Sequence, residues 1–195
     1  MESPAEQPRA RLLAAVVGYA KSHGISDLSL RELAAAVGTS HRMLIYHFGS
    51  KEGLLVAVVH AVEAEQRDFL AGLAADPAIG PIEAMRVMWR RLADPGLWPS
   101  ERLFFEIYGQ ALQGRPGTEG FLDRITEDWI ELAAGYSVQL GLPREVARAD
   151  ARLSVAVGRG LLLDLLATGD RAQADQAFER FIELCESELA RLSRS

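Results

Sequence analysis

The segment Ser40-His41-Arg42-Met43-Leu44-Ile45-Tyr46-His47-Phe48 gathers a hydroxyl, two imidazoles, a guanidinium and a phenol into nine residues. Leu44 and Phe48, four apart, share one face of a helix and can serve a core. The other side chains are then left largely outward on a helix of eight residues, too short to bury so many donors. Such a face suits a DNA major groove, where Arg reads guanine edges and hydroxyls or imidazoles reach phosphates. Lys51 follows at once, beside a helix start, where backbone amides also favour a phosphate.

Catalytic chemistry finds no comparable cluster. The chain has no nucleophile elbow, no phosphate loop, no HExxH and no Glu-x-x-His pairs. His60 and Glu63 share a helix face, but two ligands without partners make no metal site. Cys185, the one cysteine, excludes an internal disulfide and a cysteine-based zinc site. It is followed by Glu186 in an amphipathic helix with no basic neighbour to stabilise a thiolate, so it reads as a small hydrophobe. No enzyme activity, cofactor or metal is expected.

Half of the 195 residues are hydrophobic and a quarter are charged, the balance of a globular protein. No apolar run is long enough to span a bilayer. The opening MESPAEQPRAR has no apolar stretch before a small-residue cleavage site, so a cytoplasmic location is expected. A net charge of −6 argues against a nucleic-acid partner until it is divided along the chain. Residues 1–51 carry six Lys/Arg against four acids, a net +2, while the remainder carries 15 against 23, a net −8. A mildly basic end is joined to an acidic body.

The elements that must position the cluster are all helical, since nothing alternates with period two. The first helix is expected over 8–23, with Leu12, Leu13, Val16, Val17 and Ala20 on one face and Gly24 just beyond its end. Ser29-Leu30-Arg31-Glu32 is a capping box opening a helix over 30–37. Gly38-Thr39-Ser40 makes the turn into 41–48, and Ser50 caps a longer helix through about 74. Further helices are expected near 79–93, 101–113, 118–140, 144–168 and 171–193, separated by Gly/Pro breaks. The fold class is all-α: a three-helix helix-turn-helix head and a C-terminal helical bundle, about nine helices in all.

The run from Leu33 to Leu55, with Ala34, Val37-Gly38, Ser40, Leu44, Tyr46-His47-Phe48, Ser50-Lys51-Glu52 and Leu54-Leu55, resembles the N-terminal DNA-binding signature of TetR-family transcriptional regulators. The resemblance implies a DNA-binding domain over 1–52 and a ligand-binding and dimerisation domain over 53–195. It implies that Ser29 and Arg31 touch phosphates, that Ser40, His41, Arg42 and Met43 probe base edges, and that Tyr46 and His47 grip the DNA backbone. Lys51 would add a phosphate contact. Two positions depart from the family's pattern: Ile45 stands where a tyrosine is usual, and Arg42 where many members have glycine. Two plainer roles stay open, Tyr46 covering the hinge and His47 bracing the third helix against the first.

The resemblance further implies a homodimer on a palindromic operator of double-stranded DNA, more often as a repressor, released by a small-molecule effector. Helices near 118–140 and 144–168 would form the dimer face. Met88, Trp89, Phe105, Tyr108 and Trp129 are the expected lining of the effector site, although aromatic and Met side chains suit a packed core equally well. A helical sensor or adaptor that acts through protein partners without an operator is the alternative.

Overall fold

The computed structural model describes residues 6–25, 27–139 and 141–192. Among these, ten α-helical segments and one 3₁₀ turn occur, and no strand. They are α1 (Glu6–His23), α2 (Leu30–Ala36), α3 (His41–Phe48), α4 (Lys51–Ala75), α5 (Pro81–Leu92), the 3₁₀ turn Pro95–Leu97, α6 (Trp98–Leu112), α7 (Leu122–Ile125), α8 (Glu127–Gln139), α9 (Arg144–Thr168) and α10 (Arg171–Leu192). No helix among the described residues is long and apolar enough to cross a membrane.

The helix starts and stops follow local chemistry. Ser29 and Glu32 close the capping box in both directions, the Ser29 amide donating to the Glu32 carboxylate at 2.8 Å and the Glu32 amide to Ser29 Oγ at 3.3 Å. Gly38 turns the chain between α2 and α3 at φ +69°, a left-handed conformation that only glycine adopts without strain. The expected helix over 118–140 is instead two helices behind a loop. Gly117 and Gly120 hold positive φ there, and Thr118 Oγ1 donates back to the Arg115 carbonyl at 2.7 Å. The apolar residues on either side of Thr126 also serve different cores, Ile125 one and Ile130 another, so the chain turns between them. Helix α6 starts three residues earlier than expected because Pro99 is accommodated in its first turn. The ends expected at 140 and 193 lie outside the described residues.

The expected division at 52/53 is one of function. By packing, the chain groups into two compact units, residues 1–66 with 96–125, and 67–95 with 126–195. In the first, α1, α2, α3 and the start of α4 share one apolar core with α6, α7 and Phe121. Leu44 and Phe48 anchor α3 in it, beside Val16 and Ala20 of α1, Leu33 of α2, Leu54 and Val58 of α4, and Phe104 of α6. Truncating a buried side chain such as Leu44 to Ala costs about 2–5 kcal/mol.

In the second unit α8 lies along α9, Ile130 and Ala134 against Ala147 and Ala151. Arg148 pairs with Glu127 and Glu131 across the same two helices. The end of α5 is latched to the start of α10. The Trp89 indole donates to Asp175 at 2.7 Å and its ring stacks on Phe178 at 4.9 Å. Arg171 pairs with the same carboxylate and donates to the Ala93 carbonyl at 2.7 Å.

Candidate nucleic-acid interface

Helix α3 begins where Ser40 Oγ accepts the Met43 amide at 3.2 Å, and it ends where the Gly49 amide returns to the Ile45 carbonyl at 2.8 Å. With both ends satisfied and Leu44 and Phe48 buried, its remaining circumference is available. At 100° per residue the order around the axis is His41, Ile45, Arg42, Tyr46, Met43, His47, with Leu44 and Phe48 closing the circle. His41, Arg42, Met43, Ile45 and Tyr46 are all exposed, and His47 is half-buried. Tyr46 is 77 % exposed, so its ring covers no hinge. Among the described residues its ring neighbour is His47, edge-on at 4.9 Å.

The second set of expected residues collects around Glu32. Ser29 caps α2, Arg31 is exposed in its first turn, and Lys51 opens α4 close enough for its charge to act on the Glu32 carboxyl. That carboxyl is held below its ordinary value, first by the hydrogen bonds at Ser29 and also by Lys51. Among the described residues no hydrogen bond or ion pair engages the Arg31 or Arg42 side chain. Both guanidiniums are therefore presented to solvent on the same small domain.

Two contributors escape the sequence reading. Arg9 of α1 donates to the His47 carbonyl at 3.3 Å and lies 5.0 Å over the Phe48 ring. It fastens the C-terminal end of α3 to α1, so the bracing expected of the His47 imidazole is carried by that residue's backbone. Nothing local to Arg9 signals this, because its partners are 38 and more residues away. Gly53, in the first turn of α4, is the other. A Cβ there would sit 2.3 Å from the Phe48 carbonyl oxygen, so glycine is what lets α4 close onto the end of α3. A glycine where alanine would favour the helix was the available signal.

The five side chains expected at an effector site are distributed over both units. Phe105 and Tyr108 pack against the apolar core of the first unit, each beside Phe104. Met88, Trp89 and Trp129 are buried in the second unit, Trp89 in the latch described above. His60 tilts against Phe121 at 5.3 Å, and no group of three or more His, Cys, Asp or Glu that could hold a metal ion occurs among the described residues. Burial and the nearby Asp150 and Glu186 push the Cys185 thiol up from its ordinary value, away from a reactive thiolate.

Comparison with known proteins bears on the same segment. None of the curated proteins matches the chain. Solved structures do: a TetR transcriptional regulator from Legionella pneumophila has a TM-score of 0.68 at 19% identity, covering 95% of this chain and 98% of that one. A transcriptional regulator from Rhodococcus sp. Rha1 has a TM-score of 0.71 at 19% identity, with 90% and 94% covered. A TetR-family transcriptional regulator from Pectobacterium atrosepticum has 0.67 at 21% identity, with 96% of each chain covered. At these identities the likeness establishes a shared fold along the whole length. Residues 12–58, which hold the capping box, the turn, α3 and the start of α4, match the sequence pattern of one family. Residues 12–58 thus match the N-terminal model of the tetR family of bacterial regulatory proteins, and the chain shares the fold of solved structures described as TetR regulators.

Proposed function

We propose that this chain is a cytoplasmic, homodimeric transcriptional repressor that binds a palindromic DNA operator and is released from it by a small molecule. The carrying observation is the outward face of α3, capped at both ends, anchored by two buried side chains and bearing an uncommitted arginine. Ser40, His41, Arg42 and Met43 meet base edges, and Tyr46 and His47 take the DNA backbone. Ser29, Arg31 and Lys51 hold phosphates on either side. No catalytic role is assigned to any residue.

Dimerisation is supported by α9. Val146, Ala149, Leu153, Ala156, Gly160, Leu163 and Ala167 recur at alternating steps of three and four, and all of them are exposed. That spacing is the seam of paired helices, and its Ala and Gly positions allow close approach. The exposed Leu184 of α10 adds to the apolar surface. Because α8 directs Ile130 and Ala134 at α9 within the chain, we assign the dimer face to α9 and α10 rather than to 118–140. A two-fold pair presents two α3 helices to half-sites whose centres lie about 34–36 Å apart, or a multiple of that.

Effector control is supported by the shared core of the first unit. Phe105 and Tyr108 pack on the same cluster that holds Leu44 and Phe48, so a molecule that displaces them alters the seating of α3. It acts as a switch only if it binds the two arrangements with different affinity.

The test is fluorescence anisotropy on duplexes selected from a random pool by the full chain. Arg42→Ala is expected to keep its melting temperature and lose about ten-fold or more in affinity, and Lys51→Ala to lower the salt slope by about one. Failure of the pool to yield any preferred sequence would refute the operator reading.

A further inference from the structure

We propose that Ile45 and Met43 read sequence as apolar contacts, each taking the C5-methyl group of a thymine near the guanine read by Arg42. The inference rests on the operator reading and names the bases that the operator must contain.

The exposed face of α3 is not uniformly polar. Met43 is 40 % exposed and Ile45 37 %, two large apolar side chains on a helix of eight residues. Isolated apolar side chains are ordinary on a protein surface, but these two flank the arginine that the operator reading places against base edges, so docking would bury both. The charge around them selects the partner: the Arg42 guanidinium, which stands between them on the helix face, and that of Arg31 in the same domain are unpaired among the described residues. A polyanion with some apolar groups fits this arrangement. On the major-groove edges of DNA, the thymine methyl is the apolar group that the four bases present.

Position fixes the register. Ile45 follows Arg42 by three residues, so their Cβ atoms are about 5–6 Å apart. Base pairs stack about 3.4 Å apart, which places the methyl met by Ile45 one or two base pairs from the guanine of Arg42. Met43 lies beyond Tyr46 on the other side of Arg42, so it meets a different thymine.

The experiment replaces each thymine of the selected duplex with uracil, one at a time, which deletes only the methyl group, and measures binding to the unaltered full chain. One substitution within two base pairs of the guanine is expected to weaken binding about four-fold, the effect of one buried methyl. Ile45→Ala should lose sensitivity at that position only, and Met43→Ala at a second position only. Both residues are exposed, so both variants are expected to fold, and the uracil scan with the unaltered chain needs neither. Sensitivity below two-fold at every thymine overturns the inference while leaving the operator reading intact, as does unchanged sensitivity in both variants. A pool that yields no preferred sequence overturns both.

Discussion

Helices α3 and α9 both leave apolar side chains in solvent, in different company. On α3, Met43, Ile45 and Tyr46 stand among His41, Arg42 and the Ser40 cap, on a helix of eight residues. On α9, Leu153 and Leu163, each more than half exposed, lie in a stripe of Ala, Gly and Val that runs for most of 25 residues. A short mixed face can match a surface that alternates charge with isolated methyl groups. A long apolar stripe at steps of three and four has the spacing by which helices pair, and we propose a second copy as its partner. Exposure alone does not separate these cases. Length and the polarity of the neighbours do.

The strongest challenge to that comparison is Leu153→Arg with Leu163→Arg. The pair puts like charges on the proposed seam and should convert the proposed dimer to a folded monomer, read by light scattering. Operator affinity should fall by more than about 100-fold, because the advantage of two linked heads is lost. A double variant that remains dimeric would remove α9 from the interface. Gly53→Ala comes next. Its Cβ meets the Phe48 carbonyl, so the head should lose about 1–3 kcal/mol in urea denaturation, and DNA binding should weaken with it. Unaltered stability would mean that α4 shifts away from α3 without cost.

Arg9→Ala tests whether the face of α3 depends on its seat as well as on its own residues. Removing the contact over Phe48 should cost about 0.5–1 kcal/mol of head stability, with a few-fold loss of operator affinity through the altered seat of α3. Equal affinity in the variant would show that Leu44 and Phe48 suffice to orient α3. The smallest effect is a pH dependence. The Glu32 carboxyl lies below its ordinary value in the folded head, chiefly through its bonds with Ser29. The capping box therefore stabilises the head above that ordinary value, and the gain drains away as pH falls through the folded one. Ser29→Ala should flatten the acid side of the stability profile, and an unchanged profile would mean that the box holds no charge-dependent energy.

Much of the head was legible because its information is local. The capping box, the turn at Gly38, the Ser40 cap and the spacing of Leu44 and Phe48 each depend on residues within four positions of one another. The helical body was legible as elements but not as neighbours. One helix was expected over 118–140, where apolar periodicity continues across Thr126, yet the two halves serve different cores, and no periodicity records which core a side chain enters.

By itself, then, the sequence determined that the chain is helical, where most helices start and stop, and which short helix gathers an arginine, two histidines and a tyrosine beside two core residues. Capping, glycine turns and amphipathic spacing act over a few residues and are written in order along the chain. The tertiary structure alone decided the seating of α3 by Arg9, the close approach at Gly53, the grouping of Phe105 and Tyr108 with the head's core, and the stripe of α9 left uncovered. Each of these depends on which distant surface meets which, a matter of packing between helix faces that lie far apart in the sequence.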